Sequence, residues 1–169
     1  MTEDWVGYWA AVSGVGATLL GLAFVTFQVR IEHWRSSRLK SMTAAFTLTE
    51  LAGPTLISLW SLTPNHPWRA AAGVSGVVGV CLWGYYRYVY LHTPDSDKTK
   101  FDRTQARLSW LTLVVSGAIL VSAVIGDSTG LRLLGVALIW LLISGSIEAF
   151  LFLAPPREVV ASPRESTED

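Results

Sequence analysis

Charge is scarce in this chain. Only 15% of its 169 residues are Asp, Glu, Lys or Arg, against roughly 25% in soluble globular proteins. A soluble domain needs polar side chains to cover its surface, so the shortfall disfavours one. A basic excess is missing too. Lys plus Arg is 13 and Asp plus Glu is 13, giving a net charge of zero. This excludes the electrostatic footprint of a nucleic-acid-binding protein. A single cysteine, Cys81, excludes an intramolecular disulfide framework and any cysteine-cluster metal site; amid apolar neighbours it reads as a small packing residue. The three histidines, His33, His66 and His92, fall in loops or at the ends of apolar runs. A b-type haem would need axial ligands inside a bundle. No HExxH, P-loop or paired-Asp motif occurs. The sequence therefore assigns no catalytic residue, no metal and no cofactor.

Long apolar stretches are what the chain has in quantity. Apolar residues make up 51%, eight tryptophans are present, and mean hydropathy is +0.41. Such a chain is not disordered. Five runs, each long enough for a helix across a hydrocarbon core of roughly 30 Å, are predicted at about 5–29, 42–63, 67–91, 106–126 and 131–154. Val114 to Ile125 lacks the alternation of a barrel strand, and open sheet edges do not occur in lipid. The fold class is thus an all-α polytopic membrane bundle, with one domain over 1–154 and a disordered polar tail over 155–169. The first run follows Glu3 and Asp4 and is too long for a signal-peptide core, so it reads as a retained helix. The Gly21-Leu22-Ala23-Phe24-Val25 stretch resembles small bacterial membrane proteins, and that resemblance implies a multi-pass protein of a bacterial cytoplasmic membrane.

The zero net charge conceals a segregation. Arg30, Arg35, Arg38 and Lys40 follow the first run. Arg87, Lys98, Lys100, Arg103 and Arg107 surround the third inter-helix connection, and Arg157 and Arg164 lie in the tail. With five crossings all of these share one side, and only Arg69 and Arg132 fall on the other. The positive-inside rule makes the rich side cytoplasmic. The N-terminus is expected outside and the C-terminus inside. Trp5, Tyr8 and Trp9, the pair Trp60 and Trp68, and the Trp83–Tyr90 cluster are expected to anchor at the lipid–water interfaces.

Connections carry weaker signals. Thr99 and Asp102 are spaced as a capping box for the fourth helix. Arg30 to Lys40 has helical character and is read as a continuation of the first helix. Asp95, Asp97 and Thr99 are spaced like the start of an EF-hand loop. Lys100 and Ala106 stand where that loop needs Gly and Glu, so the stretch reads as a solvated connector.

Small residues at helical spacing predict close packing. Ser13, Ala17 and Gly21 form one face; Ala72 and Gly76, with Gly79, form another. Gly73-Val74-Ser75-Gly76 resembles the GxSG motif of rhomboid-type intramembrane proteases. That family's serine needs a histidine base on another membrane helix, and none of the three histidines is placed there.

Ionisable groups inside a membrane point to function. Glu50 and Glu148 each interrupt an apolar run, at depths of roughly 12 Å and 9 Å from the inner side. Arg87 and Gln28 reach the same zone. Thr47 shares the face of Glu50 and is read as bonding back to its own helix. Pro54 stands four residues after Glu50 and frees the Glu50 carbonyl. Glu50, Glu148, Arg87, Pro54 and Gln28 thus form the expected ion pathway or charge network. One 18.5 kDa protomer is too small to enclose a hydrated path alone. The resulting expectation is a homo-oligomeric cation or proton channel or small transporter in the lipid bilayer. The alternative is a non-conducting accessory or signalling subunit that docks a cytoplasmic protein through the basic loops or the tail. The orientation is directly testable. In a Cys81→Ala background, a cysteine at Thr63 is expected to react with a membrane-impermeant maleimide on intact cells. A cysteine at Ser96 is expected to react only after permeabilisation, and the reverse pattern would invert the topology.

Overall fold

The computed structural model describes residues 3–29, 31–35, 37–65 and 67–153. Their regular secondary structure is entirely helical, with no strand among them. Five long helices, α1 (Glu3–Val29), α3 (Arg38–Ser61), α4 (Trp68–His92), α5 (Lys100–Ile125) and α6 (Ser128–Leu153), are joined by the short α2 (Ile31–Arg35) and a 3-10 turn at Asp95–Asp97. The predicted tail, 155–169, lies outside the described residues, as do Arg30 and His66.

Helix ends follow local chemistry. Thr99 and Asp102 form the expected capping box: Asp102 N donates to Thr99 Oγ1 at 3.2 Å and Thr99 N donates to Asp102 Oδ2 at 2.8 Å. This nucleates α5 at Lys100, upstream of the apolar run whose start set the expected boundary at 106. Likewise Ser37 Oγ accepts from Lys40 N at 3.2 Å and starts α3 at Arg38. The stretch after α1 therefore does not continue it as far as Lys40: Ile31–Arg35 is helical, and Arg38 and Lys40 open α3. Asp95 accepts from Lys98 Nζ at 2.9 Å within the connector before α5.

The surface is inverted relative to a soluble protein. Val15, Leu22, Phe24 and Val25 on α1 face outward, as do Val114, Val121 and Val124 on α5 and Val136, Ile143 and Phe150 on α6. Meanwhile Thr43, Thr47, Glu50, Ser58, Gln105 and Ser109 are buried. Soluble monomers do not expose apolar area on this scale, and a lipid solvent accounts for it. Three helices are long and apolar enough to cross a membrane: Trp5–Val29, Asp102–Ile125 and Ser128–Leu151. The helices α3 and α4 fall short by composition. In α3 this reflects Arg38, Lys40, Glu50 and seven hydroxyl residues, of which Thr43, Thr47, Thr55, Ser58 and Ser61 are buried.

The central element is α3, which packs against α1, α4 and α6, while α5 packs against α4 and α6. Leu51, Ile57, Leu134 and Leu138 anchor the main apolar core. A second cluster joins Leu39 and Phe46 of α3 to Tyr86 and Val89 of α4 and Ala106 of α5. Of the predicted small-residue faces, Ala72, Gly76 and Gly79 form the α4–α5 seam. A β-carbon on Gly76 would stand 2.6 Å from Leu120 Cγ, and one on Gly79 would stand 2.5 Å from Ser116 Oγ. On α1 the seam is displaced: Ser13 and Gly16 are buried, but Ala17 and Gly21 face outward. Aromatic anchoring also needs correction. Trp9 is fully buried and Tyr86 nearly so, and Tyr8 Oη donates to the Gly135 carbonyl at 2.7 Å, clamping α1 to α6. Trp60, Tyr85 and Tyr88 remain exposed. Cys81 is exposed on α4 and is not a core packing residue.

The α5–α6 turn is built around charge. Gly126 has φ 68°, a left-handed conformation that favours glycine. The Arg69 guanidinium occupies the space a side chain there would need, and its Nε donates to the Ala123 carbonyl at 3.0 Å. Arg69 thus caps the C-terminal end of α5. Asp127 Oδ1 accepts from Thr129 N at 2.8 Å and Gly130 N at 3.0 Å, opening α6. The Gly130 amide holds the Asp127 carboxyl below its ordinary range, against a smaller opposing effect of desolvation. A carboxyl depressed in the folded state stabilises above its unfolded pKa and loses that contribution as pH falls through the folded one. Thermal unfolding in detergent is therefore expected to show an acid-side loss of stability that is smaller in Asp127→Asn. Superimposable pH profiles would contradict this assignment.

Candidate functional site: a carboxyl pair at the α3–α5–α6 junction

Two antiparallel helices, α3 and α6, bring the two predicted glutamates into one cluster. Glu50 is 4% exposed and Glu148 7%. Thr112 Oγ1, from α5, donates to Glu50 Oε1 at 2.6 Å, and Ser144 Oγ, from α6, donates to Glu50 Oε2 at 3.0 Å. Thr47 Oγ1, from α3, donates to Glu148 Oε2 at 2.7 Å, and Gln105 Nε2, from α5, donates to Glu148 Oε1. Every carboxyl oxygen of the pair therefore has a neutral donor from another helix. Among the described residues, no Lys, Arg or His bonds to either carboxyl.

Close backbone approach makes this possible. A β-carbon at Gly145 would stand 2.8 Å from Leu51 Cδ2 and 3.4 Å from Glu50 Cβ. Glycine here lets α6 lie directly against α3, so that short Thr and Ser side chains can span the gap. Sequence spacing supplies the donors. Asp102, Gln105, Ser109, Thr112 and Ser116 recur every three or four residues and are all buried, forming one polar stripe on α5. On α3, Thr43, Thr47, Glu50, Thr55, Ser58 and Ser61 form its counterpart. Together they make a buried polar file along much of the bundle. The hydroxyl of Ser58 is buried in it without a hydrogen-bond partner among the described residues.

The other expected members lie elsewhere. Arg87 is partly exposed, its guanidinium 5.5 Å from the Tyr90 ring centroid and 5.7 Å from that of Trp110. A cation over aromatic faces is satisfied without a carboxylate. Gln28 is exposed near the end of α1. Pro54 is buried inside α3, which runs as one helix from Arg38 to Ser61. Its missing N–H leaves the Glu50 carbonyl without its usual helical donor, and Thr55 Oγ1 donates to the next carbonyl, Leu51, at 2.9 Å. Thr47 bonds its own helix, at 3.2 Å to the Thr43 carbonyl, but its shorter bond is to Glu148. Thr112, Gln105 and Ser144 are the members that sequence reasoning missed.

Between α3 and α4 a cleft of about 520 Å³ reaches this cluster, with Glu50, Thr112 and Ser116 at its inner end. Among the described residues no group of three His, Cys, Asp or Glu side chains is arranged to hold a metal. Compared with protein-family models, curated proteins and solved structures, the chain matches none.

The hydrogen bonds assign different weights to these residues. Thr112→Val removes the donor to Glu50 Oε1 at nearly constant volume and is expected to cost about 1–3 kcal/mol, the penalty for a buried polar group left unsatisfied. Gln28→Ala, on the exposed face, is expected to stay within about 0.5 kcal/mol of the parent. Chemical denaturation in a mixed detergent measures both, and equal effects would refute the assignment.

Proposed function

We propose that this chain is a five-span integral membrane protein that moves protons or small cations through its own core by way of Glu50 and Glu148. In this reading the N-terminus is outside, the C-terminus is cytoplasmic and the membrane is the bacterial cytoplasmic one. The observation that carries it is the carboxyl pair itself. Two acidic groups are enclosed together with neutral donors only. Burying such groups as charges is costly, so their balance calls for a mobile positive charge, a proton or a small cation, in place of a fixed arginine. The buried file of Thr and Ser hydroxyls on α3 and α5 supports the same reading, because hydroxyls both donate and accept.

The location of the pair shifts the proposal from an open pore on a symmetry axis toward a carrier or relay within each protomer. Homo-oligomerisation stays part of the proposal. Ala17 and Gly21 present small residues to the outside of α1, where a second copy can approach closely. No enzymatic step is proposed.

A second reading has its own support. Each carboxyl oxygen is already hydrogen-bonded, as expected of a structural fastener in a non-conducting accessory subunit that docks a larger partner. Reconstitution separates the two. Liposomes carrying the purified protein and an internal pH-sensitive dye are expected to show proton or alkali-cation flux under an imposed gradient. Flux is expected to fall at least about tenfold, roughly 1.4 kcal/mol in barrier, in Glu50→Gln and Glu148→Gln proteins that retain their helical content. Absence of flux from the parent protein would leave the fastener reading in its place.

A further inference from the structure

The cleft between α3 and α4 has a use that the hydrogen-bonded cluster does not exhaust. Its volume of about 520 Å³ falls in the range of small-molecule sites. Leu56, Trp60, Val74 and Val78 line it and are themselves exposed on the outside of the bundle. The cleft therefore opens sideways, toward acyl chains in the proposed membrane. Its inner end is different in kind. Among the described residues Glu50 is the only ionisable side chain on the lining, and it stands beside Thr112, which donates to its Oε1 at 2.6 Å. Each Glu50 oxygen accepts one recorded bond, from Thr112 or Ser144. A carboxylate oxygen can accept two, so acceptor capacity remains.

We propose that this cleft is a binding site for an amphiphilic organic cation that enters from the lipid. The apolar body of the ligand lies between α3 and α4, and its positive centre lies beside Glu50. Charge complementarity selects this occupant. An acyl chain would fill the apolar part and leave the carboxyl without a counter-charge, and the helix of a second copy would do the same unless it brought a basic residue. A small inorganic cation would balance the carboxyl and leave the apolar walls unused. The site shares Glu50 with the transport reading but requires no flux, so equilibrium binding decides it separately.

The test uses the full-length protein in a non-ionic maltoside detergent, with radiolabelled tetraphenylphosphonium as the probe in equilibrium dialysis. Saturable binding near one probe per chain is expected. Glu50→Gln is expected to weaken it at least about tenfold. Val78→Trp, which fills the cleft without touching the carboxyl, is expected to weaken it similarly and guards against a Glu50 variant that misfolds. No saturable binding by the parent protein overturns the proposal. Binding that is unchanged in folded Glu50→Gln or in Val78→Trp also overturns it. So does a co-purified phospholipid that the probe fails to displace, or cross-linking of Val78→Cys to a second copy through the cleft. Glu50-dependent binding without ion flux upholds this site and removes the transport reading; flux without binding does the opposite.

Discussion

The arrangement of this bundle turns on two carboxyl groups that are buried with no basic partner among the described residues. In water such groups would be solvated at no cost to the fold. Inside an apolar-surfaced bundle their oxygens must find donors on neighbouring helices or forfeit about 1–3 kcal/mol each. Four donors answer that demand: Thr47, Gln105, Thr112 and Ser144, on three helices. Satisfying them fixes which helices must touch. It ties α3 to α6, against which it packs, and through Thr112 to α5, which itself packs against α4 and α6. It also explains the glycine at the α3–α6 contact, since Gly145 allows the approach that short hydroxyl side chains require.

The same demand accounts for the modest hydropathy of α3. The helices α1, α5 and α6 each present a broad apolar exterior, and each is long and apolar enough to cross a membrane. Being central, α3 can carry a glutamate and a file of hydroxyls because much of its circumference is covered by α1, α4 and α6. Low hydropathy in such a helix measures how many of its faces are covered. Composition alone therefore undervalues the most enclosed helix of a membrane bundle.

Much of this was legible in the sequence, and the failures have physical causes. The five long helices and the Thr99–Asp102 cap follow from apolar run length and cap chemistry, and the isolation of two acids in apolar runs singles out Glu50 and Glu148 without saying that they meet. Arg87 and Gln28 were misplaced because depth along a helix says nothing about direction around it. Arg87 turns to Tyr90 and Trp110, and Gln28 turns outward. Trp9 was assigned to an interface by residue type, but the ring lies in the core against Trp5 and Tyr8. Thr112 and Ser144 were passed over because Thr and Ser are common in membrane helices, and Gln105 because it precedes the span expected from 106. Their signal was periodic. The spacing 102, 105, 109, 112, 116 marks one face of α5, and a polar face on an otherwise apolar helix has to meet polar groups.

Reciprocity across α3 and α6 gives the cluster a further property. Thr47 of α3 bonds Glu148 of α6, while Ser144 of α6 bonds Glu50 of α3. The two bonds lie about one helical turn apart on each partner and run in opposite senses along the chain. Sliding one helix past the other, or rotating either, strains both together. The third helix does the same from another side, through Gln105 to Glu148 and Thr112 to Glu50. Two carboxyls with donors exchanged in this way cannot be loosened one at a time by rigid motion of a single helix. A proton or cation that changes the charge of one alters the bonds holding two neighbouring helices. An arginine–glutamate pair would resist such a change, because its attraction depends on both charges staying in place. Hydroxyl and amide partners serve a neutral or an ionised carboxyl alike, through rotation of the hydroxyl or use of the amide oxygen. In the proposed transport reading, the choice of Thr, Ser and Gln over Arg and Lys would let occupancy vary while the three helices remain joined.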